Sequence, residues 1–193
     1  TLILQAYLNR IDFQDTITIK KSVLFKLQKQ HLLNIPFENL DIHYGRNIRL
    51  SIMDMYQKVV VEKRGGFCYE LNGLFCDFLK QIGFNAKLIS ARVHTKEAHY
   101  SPEYDHLALI VNLKGEDILV DVGFGKFSFK PLPIKLNEVI FDKYGDFIFN
   151  NYDSTHICIN EINDDKQFPQ YIFSILQIME YKAILHIIVD ISL

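Results

Sequence analysis

The chain has no tryptophan, and cysteine, methionine and proline are sparse: three, three and five in 193 residues. Cys68, Cys76 and Cys158 make an odd set, unsuited to a disulfide framework and consistent with a reducing cytosol. No Cys-x-x-Cys pair occurs, so no zinc or other metal site is signalled. The N-terminus lacks a basic segment followed by an apolar core, so no signal peptide and a cytoplasmic location are expected. The basic pairs Lys20-Lys21 and Lys63-Arg64 are too short to form a patch, and a net charge of −2 gives no electrostatic reason for a nucleic-acid partner. The most apolar tract, residues 171–193, is interrupted by Glu180, Lys182, His186 and Asp190, so it reads as soluble core and not as a membrane span. Repeats and low-complexity linkers are also missing.

Hydrophobic residues make up 49% of the chain, enough for a real core over this length. Residues 1–83 read as helical. Val23, Leu24, Leu27, His31 and Leu32 share a face in a helix that Pro36 stops, and Ser51 with Asp54 resembles a capping box before "MYQKVVVEK". Leu71, Leu74, Phe75, Phe78, Leu79 and Ile82 keep helical spacing up to Gly83. Beyond Gly83 the pattern changes to β-branched and aliphatic runs: "NAKLISARVH", "HLALIVNL", "DILVDVGF", "VIFDKY", "FIFNNY", "THICINEI" and "QYIFSI". The expected class is α+β: a helical bundle over 1–83, an antiparallel β domain over 84–175, and an atypical segment over 176–193.

"KRGGFCYELNGLF" (63–75) puts Cys68 where a glycine turn becomes a helix. The first helical turn offers unpaired N–H groups and a positive dipole end, which stabilise a thiolate and suit an oxyanion. The other reading of this stretch is a small buried hydrophobe. A cysteine nucleophile needs a base, and the base needs an orienting acceptor. Among the seven histidines, His106 opens a strand in "EYDHLALIV", with Asp105 adjacent but expected on the opposite face. If Lys114-Gly115 is a two-residue turn, Leu113 faces Glu116, His106 faces Gly123, and Asp121 becomes the diagonal neighbour of His106 on one face. Core or ion-pair roles for His106 and Asp121 remain open at this level. Cys76, Cys158, His31 and His186 read as packing residues, and His94 and His99 as solvated. In "NIPFENLDIHYG", which is expected to be irregular, Glu38 is a reasonable partner for Arg64.

"RGGFCYELNGLF", with "PFENLDI" upstream and "DHLALIV…DVGFG" downstream, resembles the arylamine N-acetyltransferase family over roughly residues 1–175. The resemblance implies a helical bundle, a β-barrel-like domain with a cysteine-protease-like Cys-His-Asp core, and a C-terminal lid domain, which is expected to be missing from this sequence. It implies ping-pong acetyl transfer from acetyl-CoA to arylamines, hydrazines or N-hydroxyarylamines. It makes Cys68 the acetylated nucleophile, His106 the base and Asp121 its orienter. Phe37 and Phe124 match pocket-lining positions, Gly125 the glycine beside the CoA arm, and Arg64 with Glu38 a structural pair. Without a lid, hydrolysis of acetyl-CoA is expected to gain on amine transfer. Two alternatives are another Cys-His-Asp acyl-transfer enzyme, a thioesterase or amidase, and a catalytically impaired relative that binds a partner.

Overall fold

The computed structural model describes residues 2–174, so the reading of 176–193 lies outside the described residues. Five helices precede the strands: α1 (Leu2–Arg10), α2 (Lys21–Asn34), α3 (Leu40–His43), α4 (Ile52–Tyr56) and α5 (Cys68–Gln81). Eight strands follow: β1 (Asn85–Val93), β2 (His106–Leu113), β3 (Glu116–Val120), β4 (Leu132–Pro133), β5 (Val139–Ile140), β6 (Asp146–Asn151), β7 (His156–Asn163) and β8 (Lys166–Ser174). They form one antiparallel sheet in the order β4-β3-β2-β1-β8-β7-β6-β5. The α+β class expected from the helix-to-strand change of pattern is what the chain adopts.

Burial on both faces explains why "HLALIV" is apolar without alternation. Leu107, Leu109 and Val111 of β2 pack against the helices, together with Leu88 of β1 and Ile118 and Val120 of β3. Ala108 and Ile110 point the other way, into a second core with Leu119, Phe147, Phe149, Ile159, Tyr171 and Phe173. The sheet thus separates a helix-facing core from an interior one. His106 and Asp121 have the parity of the interior set, whereas Cys68 arrives from the helical side.

The helix signals act locally. Ser51 Oγ accepts the Asp54 N–H at 3.1 Å and starts α4. The run "QKVVV", read as continuing that helix, is a π turn over Gln57–Val61. "NIPFENLDIHYG", read as irregular, contains the one-turn helix α3, because Pro36 constrains the residue before it, Ile35, to extended backbone and leaves Leu40–His43 free to turn. Strand β5 keeps two residues of "VIFDKY", since Asp142 instead caps the amides of Phe129, Lys130 and Tyr144. His31 is wholly buried, with Nδ1 2.6 Å from the Tyr7 hydroxyl. Burial, with Arg10 adding to it, lowers its pKa to about 3, so it is a neutral packing group. Cys76 and Cys158 are buried too, and burial raises the Cys76 thiol to about 11. No helix among the described residues is long and apolar enough to cross a membrane.

Candidate active site

Lys114 and Gly115 both have positive φ, 56° and 86°, and form the tight turn between β2 and β3. The ladder pairs Leu113 with Glu116 and Leu109 with Val120. This is the register that carries Asp121 to the face of His106. Strand β3 ends at Val120, one residue short of Asp121, so the carboxylate leans freely toward the ring. His106 Nε2 lies 2.7 Å from Asp121 Oδ2, with both residues nearly inaccessible to solvent. Cys68 is close enough to His106 to favour the charged imidazole. Burial alone would lower the His106 pKa. The Asp121 charge and hydrogen bond, together with Cys68, outweigh it, and the pKa is raised.

Asp121 has no free lone pair. Oδ1 accepts Asn72 Nδ2–H at 2.8 Å and the Gly123 N–H at 2.9 Å; Oδ2 accepts from His106 and from the Tyr171 hydroxyl at 3.1 Å. Asn72 also donates to Leu107 O at 2.6 Å and accepts the Val122 N–H at 2.9 Å. It stands one helical turn after Cys68 and so fastens the helix bearing the sulfur to the hairpin bearing His106 and Asp121. Asn72 and Tyr171 were not singled out from sequence. An asparagine inside an apolar helix stripe was the one signal, since a buried amide must find partners.

The glycines around the sulfur answer to close backbone approach. A Cβ on Gly65 would lie 2.1 Å from Pro36 O, against the segment where Glu38 N–H donates to Gly66 O at 2.9 Å. A Cβ on Gly123 would lie 2.7 Å from Cys68 Cα. Glu70 accepts the Phe67 N–H at 3.1 Å, capping the helix immediately before Cys68. Lys58, turned inward by the π turn, binds both Glu70 oxygens at 2.8 and 2.9 Å and Asp41 at 2.8 Å. Arg64 reaches Glu38 at 2.7 Å, as its position suggested, and Asp41 at 2.9 Å. Its hydrogen bond is the first cause of the low Asp41 pKa, about 2. Burial pushes Glu70 up and opposes charge on Lys58, but its acid partners leave Lys58 raised.

These five charges hold the loop that aims Cys68. Lys58→Met strands the almost fully buried Glu70, while Asp41 keeps Arg64, and is expected to cost about 3 kcal/mol in urea unfolding, part of it recovered by adding Glu70→Gln. An unchanged urea midpoint in Lys58→Met would refute this role.

A cavity of about 590 Å³ opens on Cys68, lined by Ile42, Ile48, Phe67, Tyr69, Tyr104 and Asp105 among others. Cys68 is the first residue of α5 and 9% exposed. Its amide belongs to the helix turn that has no preceding carbonyl to bond. Phe124 meets the His106 ring edge-on at 4.9 Å and packs on Tyr171 and Phe127. Phe37 is 46% exposed and bridges to Gly66. Neither phenylalanine is among the cavity's lining residues. Gly125 has φ +85° and open space around it. Among the described residues there is no group of three side chains able to hold a metal ion.

A model of the N-acetyltransferase family matches residues 22–188. Arylamine N-acetyltransferase of Escherichia coli is 37% identical over 125 residues, 65% of this chain and 44% of the relative. The chain therefore spans less than half the length of that curated relative. Arylamine N-acetyltransferase from Salmonella typhimurium superposes with a TM-score of 0.90 at 28% identity, covering 97% of this chain and 68% of the other. The Mycobacterium marinum enzyme, solved in complex with CoA, gives 0.85 at 28%, covering 94% and 68%. With the match to the family running over most of its length and the fold shared throughout, the chain belongs to the arylamine N-acetyltransferase family.

Proposed function

We propose that this protein moves an acetyl group from acetyl-CoA to an arylamine or hydrazine through an acetyl-Cys68 intermediate, in two half-reactions. The observation that carries the reading is His106 bound to Asp121 and close to Cys68, the one of the three that lines the cavity. In the first half-reaction the Cys68 proton passes to His106, and the sulfur attacks the thioester carbonyl. The C–S bond to CoA breaks, and the departing CoA thiolate takes the proton back from His106, which leaves the imidazole neutral for the second half-reaction. The first-turn amide of Cys68 stands beside the carbonyl oxygen as negative charge develops there. In the second half-reaction the amine nitrogen attacks acetyl-Cys68, His106 takes a proton from the nitrogen, and the cysteine sulfur leaves with the electron pair. An arylamine is neutral at pH 7, so a cavity lined by Ile42, Ile48, Phe67, Tyr69 and Tyr104 beside the polar Arg46, Asn47 and Asp105 suits it. In this scheme the acceptor meets the residues lining the cavity, Phe124 backs the His106 ring edge-on, and Gly125 admits the CoA arm.

Brief incubation with acetyl-CoA, followed by intact mass measurement, is expected to show one added acetyl group that is lost in Cys68→Ala. An arylamine then discharges it as the acetylated amine. Acetylation without discharge to any amine, ending in acetate, would instead favour a thioesterase. No acetylation would defeat the proposal.

A further inference from the structure

The connection from β1 to β2 ends in a residue whose backbone is strained and held from both sides. Tyr104 has φ 67°, a left-handed conformation that a residue with a Cβ adopts at a steric cost. It stands two residues before His106, where the chain turns into β2. Its N–H donates to Ser90 Oγ of β1 at 3.0 Å. Its carbonyl accepts the hydroxyl of Tyr69, the residue that follows Cys68. Upstream the same connection is fixed separately, by Ser101 with Val93 and by Arg92 Nε to Ser101 O. Tyr104 is therefore the last joint before the histidine, and both of its hydrogen bonds come from side chains and not from the strand ladder.

We propose that Tyr69 and Ser90 are positioning residues that clamp Tyr104 in its left-handed conformation and so set the distance between the His106 ring and the Cys68 sulfur. Tyr69 is suited to this by its place: one end is on the first turn of α5 beside the sulfur, and the other is on the peptide leading into β2. The clamp thus joins the two halves of the nucleophile–base pair by a route independent of Asn72, which reaches Leu107 and Asp121. Released, Tyr104 relaxes toward ordinary φ, and the start of β2 rotates with it. A shift of this kind harms chemistry more than binding, because proton transfer depends more steeply on geometry than contact does.

The inference rests on the proposed acetyl transfer for its kinetic readout, but alkylation of Cys68 by iodoacetamide, followed by peptide mass spectrometry, needs neither substrate. Tyr69→Phe removes one oxygen. It is expected to slow alkylation and kcat about tenfold, with KM for amine and acetyl-CoA within about twofold and the thermal midpoint little changed. Ser90→Ala is expected to act in the same direction. Tyr104→Asn and Tyr104→Val both delete the ring, but only asparagine tolerates left-handed backbone, so the Asn variant is expected to label at least about fivefold faster than the Val variant. Wild-type labelling in Tyr69→Phe, or equal rates for Asn and Val at 104, overturns the clamp. Should the native protein label but acetylate no amine, the proposed function fails while the clamp is still judged by labelling.

Discussion

Asp121→Asn is expected to lower acetyl transfer on the order of a thousandfold with the fold retained, because the replacement amide has the wrong hydrogens for its place. Four donors converge on the carboxylate: Asn72 Nδ2, Gly123 N, His106 Nε2 and the Tyr171 hydroxyl. An amide has one oxygen to offer them. If its nitrogen faces Asn72 and Gly123, a backbone N–H that cannot turn away is left buried against a donor. If the nitrogen faces His106, the Tyr171 hydroxyl can rotate to accept, but His106 Nε2 must become an acceptor. The ring proton then moves to the nitrogen facing Cys68, which can no longer take the thiol's proton. Burial, which the Asp121 charge and hydrogen bond outweigh in the native protein only together with Cys68, then meets less opposition and favours the neutral imidazole.

The same change has a pH signature. The folded His106 pKa is raised, so its contribution to stability is fully present below the ordinary imidazole value near 6.5 and is lost as pH climbs through the folded value. The stability gap between the native protein and Asp121→Asn should therefore be widest in mildly acidic solution and shrink toward alkaline pH. Steady-state kinetics, iodoacetamide labelling and urea unfolding at several pH values test these outcomes. A rate within tenfold of native, or a gap that grows with pH, would overturn this assignment.

Gly123→Ala is expected to lower labelling of Cys68 and acetyl transfer about a hundredfold, with a stability loss of about 2 kcal/mol. The new methyl would meet Cys68 Cα at 2.7 Å, Asn72 Nδ2 at 2.9 Å and Cys68 Cβ at 3.3 Å. The first of these is main chain at the start of a helix, so the collision is relieved only by moving the helix, the loop or both. Movement of either separates sulfur from imidazole and pulls Asn72 away from Asp121. Native labelling and kinetics in Gly123→Ala would show that the loop yields without cost, contrary to this reading. At Gly123 the packing requires close approach of the backbone to Cys68.

Much of this was legible in one dimension because its causes are local or periodic. Lys114-Gly115 fixes a hairpin whose register carries Asp121 to the face of His106; with β2 apolar on both faces, it is the turn and not the apolar pattern that sets that register. Arg64 and Glu38 were suggested by a glycine loop that had to be held. Asn72, Tyr171, Lys58 and Glu70 were not found. Their partners lie in other elements, Asp121 being 49 residues from Asn72 and 50 from Tyr171. The π turn over Gln57–Val61, which turns Lys58 toward its acids, has no signature separate from that of an α-helix.

By itself the amino-acid order determined the class of fold, the helix start at the sulfur and the shared face of base and acid, since propensity, turn chemistry and side-chain alternation act between near neighbours. Only the tertiary structure decided how close Gly123 comes to Cys68, which four donors saturate Asp121 and which hydroxyl holds Tyr104. Those choices arise from packing between distant segments, where van der Waals exclusion and the need to satisfy every buried polar atom select one arrangement that no short stretch specifies.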